Sequence, residues 1–400
     1  MSKRQLNNEH VLRKRRETAG LMADEIRKGP AGWDAGRLEA LRVEFDRWQG
    51  LCFGYSDEAL GETCRPLAAL DEKRGAHWIT QPPAPVPALL RSGPGDDASP
   101  LIPAGKVGLL VARGGTGKTQ ALTQLALSVA TGLPWLDTFS VATPGRVLLV
   151  LGEEDQEETM RRIQRSARAI GPDLTEKDDL IQQAGRNVWT MPRYGLPSTL
   201  TDCDDRPSPF GENLVAHLDN AGGPWSCIIL DPASRFMGAE AEKDNAAATR
   251  FVEAVERLTE APGGPAVIVA HHTSKSWGTS GRADQGAARG SSALTDGARF
   301  VLNLFEDLDE EKRGQLPGDM RNVKYPRLRL TKANYGPHIP DLRVAVSGTG
   351  IRPATEQECR VVDEARGKKT NSGQGRNRQT QDDKGTVSDD HSDPFEGVEF

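Results

Sequence analysis

The run from Ala112 to Thr119, ARGGTGKT, sets Gly114, Gly115, Thr116 and Gly117 directly before Lys118 and Thr119. Closely spaced glycines let backbone N–H groups turn inward around phosphate oxygens. A lysine closing the loop reaches the β and γ phosphates, and the hydroxyl after it is a magnesium ligand. The candidate nucleotide-binding residues are therefore Gly114, Gly115, Thr116, Gly117, Lys118, Thr119 and Gln120, with ATP and Mg2+ as the expected cofactors. The first position of the G-x-x-x-x-G-K-[ST] pattern is Ala112 here. Alanine fits that place provided its φ is negative.

Three further polar positions stand at the ends of apolar runs. GRVLLVLGEED ends in Glu153 and Glu154, where a carboxylate can orient and polarise the water that attacks a γ-phosphate. Glu154 is the first candidate and Glu153 the second; alternatively, these acids only cap the helix that follows. WSCIILD ends in Asp231, placed to hold magnesium together with Thr119. PAVIVAHH ends in His271 and His272, with no cysteine or further histidine nearby to complete a metal site. One of the two histidines can sense the γ-phosphate and pass its presence to the following loop. That loop, TSKSWGTSGRADQGAARGSS, is long, polar and glycine-rich and carries Lys275, Arg282 and Arg289 as candidate contacts to single-stranded DNA.

These side chains need strands to carry them and helices to cover the strands. VGLLVA reads as a buried strand before the glycine loop, and Leu122, Leu125, Ala126 and Val129 recur at helical spacing after it. Met160, Ile163, Ala167 and Ile170 mark a helix after the GEED run, whose strand is expected beside the glycine-loop strand. Alternation of apolar runs and helical patterns from 86 to 355 predicts an α/β domain with a mainly parallel sheet covered by helices. Residues 1–85 read as a polar helical extension, with a basic run at Arg13, Lys14, Arg15 and Arg16, ending in a linker at QPPAPVPALLRSGPGDDASP. Residues 356–400 are expected to be a disordered tail, poor in apolar side chains and acidic at its end.

Composition narrows the classes. The net charge of −6 leaves no uniformly basic surface, so DNA contact must come from a local channel. No apolar run is long enough to cross a bilayer and the N-terminus lacks a signal-peptide core, which predicts a cytoplasmic protein without membrane contact. Cys52, Cys64, Cys203, Cys227 and Cys359 have no C-x-x-C spacing and are expected to be free thiols.

The blocks VGLLVARGGTGKT, EED, LDPASRF, AHHTSK, ARGSSALTDGARF and LTKANYG, taken in order, resemble the RepA family of plasmid replicative helicases and their phage relatives. The resemblance runs from about residue 100 to about 340 and implies a RecA-like fold and a hexameric ring ATPase that forms homo-oligomers on single-stranded DNA. It makes Lys118 and Thr119 the phosphate-binding pair, Glu154 the catalytic glutamate, Asp231 the Walker B aspartate and His272 the sensor, with His271 as its near alternative. It also implies that Arg299 is the arginine finger that reaches a neighbouring subunit's nucleotide. A planar, permanently charged guanidinium can bridge γ-phosphate oxygens there; alternatively Arg299 pairs with an acid of its own subunit. Lys332 either adds positive charge at that interface or is a structural strand-end residue.

Three functions are compatible with this reading. One is a ring-forming helicase acting in replication; the second is a RecA-like recombination or annealing ATPase that builds filaments on single-stranded DNA; the third is a non-motor ATP-dependent regulator. The acidic segment DDKGTVSDDHSDPFEGVEF, closing on Phe400, is similar to tails with which single-strand binding proteins and some phage helicases dock on replication partners. The alternative, a solvating acidic tail with a chance phenylalanine, is the stronger reading of its composition.

Overall fold

The computed structural model describes residues 84–367 except 94, 96–97, 203–205, 239–240, 242–243, 273–291, 307 and 338, together with scattered positions between 14 and 42. The chain divides into two units, Met1–Ala84 and Pro85–Phe400. In the first, the described positions are mostly helical. Lys14 pairs with Glu17 at 2.9 Å, and the buried Glu25 accepts the Asp34 N–H and faces Arg37 at 3.6 Å.

In the second unit a small antiparallel sheet comes first: β1 (Ala88–Arg91) pairs with β2 (Pro100–Pro103) on one side and with β4 (Ser140–Val141) on the other. This corrects the linker expected at these residues. Leu89 and Leu90 are fully buried in the main core; β2 is a near neighbour in the chain, but the pairing with the distant β4 leaves no trace in local composition. Between β2 and β4 lie β3 (Val107–Ala112) and helix α1 (Lys118–Thr131).

The main sheet continues with β5 (Arg146–Leu151), helices α2 (Gln156–Ile170), α3 (Pro172–Glu176) and α4 (Asp178–Asn187), then β6 (Val188–Pro192), α5 (Pro209–Asn220) and β7 (Trp225–Asp231). The short α6 (Ala233–Phe236) and α7 (Asn245–Arg257) lead to β8 (Ala266–His272); α8 (Ser292–Gly297) precedes β9 (Phe300–Phe305). After α9 (Glu310–Gly314), strands β10 (Arg327–Ala333), β11 (Leu342–Ser347) and β12 (Gly350–Pro353) close the sheet, and α10 (Glu356–Gly367) follows. The nine strands run in the order β12-β11-β10-β9-β3-β8-β7-β5-β6. From β9 to β6 all pairs are parallel; β10 to β12 are added antiparallel.

Both faces are covered, so the inner strands β3, β5 and β8 carry unbroken apolar runs, Val107–Ala112, 147–151 and 266–270. Leu110 and Ala112 of β3 face the core under α1, while Val107, Leu109 and Val111 face the one under α5 and α7. This mainly parallel sheet, with the glycine loop following its central strand β3, is an α/β core covered by helices. Gly108 is required in β3 because the Phe300 ring of β9 occupies the place where a Cβ would stand.

Three expectations are corrected. The β5 strand is not beside β3; β8 and β7 intervene, because consecutive strands in the chain need not be neighbours. Met160 does not share the buried face of α2 but is 55% exposed, whereas Ile163, Ala167 and Ile170 pack against a small cluster around Leu127, Leu174 and Ala184. The folded region also extends past 355 through α10. Val362 and Ala365 of that helix join Leu316, Met320 and Tyr325 in a separate apolar cluster, a pattern of two buried positions too sparse to stand out in a polar sequence. Among the described residues no helix is long and apolar enough to cross a membrane.

Candidate functional site

The carboxyl ends of β3, β5, β7 and β8 surround a pocket of about 430 Å³, the place where α/β sheets keep their sites. Gly115, Gly117, Lys118, Thr119 and Gln120 line it from the loop and α1, Glu153 and Glu154 from the turn after β5, Asp231 from β7 and His272 from β8.

The loop takes its shape from glycine at two points. Gly115 has φ +74° and Gly117, the N-cap of α1, has φ +109°, values that L side chains rarely adopt. No side chain caps the first turn of α1, which leaves its N–H dipoles to an anion. Ala112 ends β3 with no positive φ, so alanine is accepted where the pattern has glycine. The buried Lys118 folds back, its Nζ donating to the Ala112 carbonyl at 3.0 Å and lying 3.2 Å from His272 Nδ1. Burial lowers its pKa, against the opposing pull of the Asp231 and Glu153 carboxylates.

Which histidine faces the loop follows from strand alternation. His272 lines the pocket, while the buried His271 points to the other side of β8, its Nδ1 accepting the His272 N–H at 2.8 Å.

Asp231 is 3% exposed. Burial raises its pKa, offset by a hydrogen bond from the Thr119 hydroxyl and by the Lys118 charge. Its Oδ2 is buried and accepts no hydrogen bond among the described residues. A hydroxyl and a carboxylate placed together, with one lone carboxylate oxygen, form a hard-oxygen donor set that fits Mg2+.

Glu154 is 8% exposed, with Oε1 held 2.8 Å from Arg162 of α2. Burial pushes its carboxyl up to about 7, and the Arg162 guanidinium pulls the other way. Glu153 is half-exposed and lies 3.6 Å from Arg235. The cap of α2 is neither of them: the Asp155 side chain accepts the Glu158 N–H at 2.8 Å. Glu154 reaches the pocket although β5 lies three strands from β3, because the Gly152 N–H binds the Asp231 carbonyl at 2.8 Å and holds this turn across the end of β7. A Cβ on Gly152 would meet Arg235 Cβ at 2.6 Å.

Arg299 stands apart from this cluster. Its N–H donates to Val107 at the start of β3, the end of the sheet opposite the loop, and its guanidinium lies 3.8 Å from Glu256 of α7. Lys332 is at the same end, where its Nζ donates to the Thr295 and Asp296 carbonyls, both at 2.8 Å, and so fixes the end of α8 just before Arg299. Burial lowers its pKa, opposed by Asp296 and reinforced by Arg299. Lys275, Arg282 and Arg289 lie outside the described residues, as do Phe400 and the tail.

Sequence reasoning missed three contributors. Arg162 follows Glu154 by eight residues, two helical turns, a spacing that could have been tested for a partner. Lys324 and the β11 turn at Val346, Ser347 and Gly348 also line the pocket, brought from afar by the antiparallel strands without any local signal. Gln120 and Gln124 tie this hairpin to α1 by donating to the Ser347 and Ile351 carbonyls at 3.2 and 2.9 Å.

A solved structure titled as an ATPase domain is similar to this chain at 14% identity and a TM-score of 0.45, over 62% of this chain and 85% of that one. A family model described as AAA domain matches residues 65–277. That span covers over half of the chain and includes the nucleotide loop, the acidic turn after β5, Asp231 and His272; the protein belongs to this AAA domain family.

Proposed function

We propose that the chain is an ATP-hydrolysing, ring-forming DNA helicase that translocates on single-stranded DNA during replication in the cytoplasm. In this reading Gly114, Gly115, Thr116 and Gly117 wrap the phosphates, and Gln120 stands beside them. Lys118 leaves the Ala112 carbonyl to bind the β and γ phosphates. Thr119 and Asp231 would hold Mg2+, which would supply charge neutralisation at the phosphate oxygens. Glu154 orients the attacking water and takes its proton, and His272, already against Lys118, reports the γ-phosphate to the loop carrying Lys275, Arg282 and Arg289.

The observation that carries the ring is the position of Arg299. It sits one residue before Phe300, which pairs with Gly108, whereas the phosphate loop begins after Ala112. At about 3.3 Å per strand residue, roughly 15–20 Å separate it from its own site. As an arginine finger it can serve only another subunit's nucleotide. Glu256 holds it until then.

Electron microscopy with ATP and single-stranded DNA, alongside an unwinding assay, tests the proposal. Closed rings with ATP-dependent strand separation are expected; open filaments would turn the reading to a recombination-type ATPase, and ATPase without unwinding or assembly to a regulator.

A further inference from the structure

We infer that Lys324 is a second phosphate-binding cation of the nucleotide site, supplied by the antiparallel part of the same subunit's sheet; the inference rests on the P-loop reading and adds a residue to it. Lys324 precedes β10 and forms an isolated antiparallel bridge with Val346, its N–H donating to the Val346 carbonyl at 2.9 Å and its carbonyl accepting the Val346 N–H at 2.8 Å. The bridge turns both side chains toward the phosphate loop. Val346 packs under Gly117, where an added Cβ would meet its Cγ1 at 2.9 Å. Lys324 extends over the loop, its Nζ donating to the Gly115 carbonyl at 2.5 Å.

Three features make this ammonium more than a strut. First, it lines the same pocket as Lys118, Thr119 and Asp231. Second, an ammonium has three N–H donors, and the Gly115 carbonyl takes one. No carboxylate pairs with Lys324 among the described residues, so its charge is not spent within the protein. Third, the charges lining the pocket are consistent with this role. Lys118, Arg162 and Lys324 face Glu153, Glu154 and Asp231, three cations against three carboxylates. A magnesium triphosphate brings a net negative charge into this balance, and Arg162 is already engaged with Glu154. Lys324 is the cation on the loop's outer side able to turn from a carbonyl to a phosphate oxygen, a charge-assisted and therefore stronger hydrogen bond.

The test measures equilibrium binding of fluorescent ATP, ADP and AMP analogues with Mg2+ to the full chain, for wild type, Lys324→Ala, Lys324→Arg and Lys118→Ala. Lys324→Ala should bind ATP and ADP roughly ten- to a hundredfold more weakly, bind AMP as wild type does, and melt at the wild-type temperature. Lys324→Arg should restore most of the affinity. Equal weakening for all three nucleotides with a lowered melting temperature would reduce Lys324 to a loop support and overturn the inference. So would unchanged ATP affinity in Lys324→Ala while Lys118→Ala loses binding, and in that case the P-loop reading stands. Absence of nucleotide binding by the wild type would remove both.

Discussion

The carboxyl of Glu154, held at about 7 by burial, makes hydrolysis pH-dependent in a range that can be assayed. A general base must be ionised, and kcat/KM reports the free enzyme's ionisation. The acid limb of kcat/KM should therefore have its midpoint near 7, with about a tenth of the plateau rate one unit below it. Arg162, 2.8 Å from Oε1, holds this value down. An opposite charge at such a distance lowers a carboxyl pKa by roughly 1–3 units. Arg162→Gln should move the midpoint to roughly 8 or above, costing about two thirds of the rate at pH 7.5 and restoring it by about pH 9. Steady-state phosphate release from pH 5.5 to 9.5, in both proteins, measures the two midpoints. An unmoved midpoint, or a rate depressed equally at every pH, would refute the account of Glu154 as a buried base tuned by Arg162. The same shift has a stability sign. The folded-state value lies above the ordinary one of 4.5, so the contribution is fully present below 4.5 and is lost as pH rises through 7. Glu154→Gln should remove that component from the pH dependence of urea unfolding.

Lys118→Ala should lose Mg-dependent ATP binding, since it deletes the charge buried behind the loop; wild-type affinity in a binding titration would be incompatible with its role. Arg299→Ala should bind ATP yet hydrolyse it roughly a thousandfold or more slowly, and mixing with Glu154→Gln should recover part of the activity at interfaces that regain both groups. No recovery in mixtures shown by native mass spectrometry to co-assemble would leave Arg299 as the partner of Glu256. Ending the chain after residue 355 removes Val362 from its cluster and Glu358 from Tyr325 and Arg352. Thermal melting should fall by several degrees, burial of one valine alone contributing about 2 kcal/mol, whereas a chain ending at 367 should melt as the full protein does.

The phosphate loop, the four strand ends and the parallel core were legible because each depends on local spacing. A glycine run before Lys118, a mostly apolar strand before Asp231 and a helical period after Thr119 carry their meaning within a dozen residues. What escaped depends on pairing across the chain. Leu89 and Leu90 sit in a proline-rich stretch and become a strand only against β2 and β4. Lys324 enters the pocket through a bridge to Val346, and Arg162 through a helix turned toward Glu154. The order of strands escaped for the same reason: the GEED turn reaches its neighbours by crossing the end of β7, which no period in the sequence encodes.

The contact between Gly108 and Phe300 has a consequence for how such chains diverge. One aromatic ring fills the space that a side chain at 108 would occupy, so the two positions share a single volume. Neither can change freely while the other stays as it is. A relative with a side chain at 108 must carry a smaller residue at 300, and the exchange has to pass through a poorly packed or strained intermediate. The strand that leads into the nucleotide loop and the strand that begins beside Arg299 therefore drift as one unit. Their joint variation is a mark by which the register of β3 against β9 can be recognised in a relative known only from its genome.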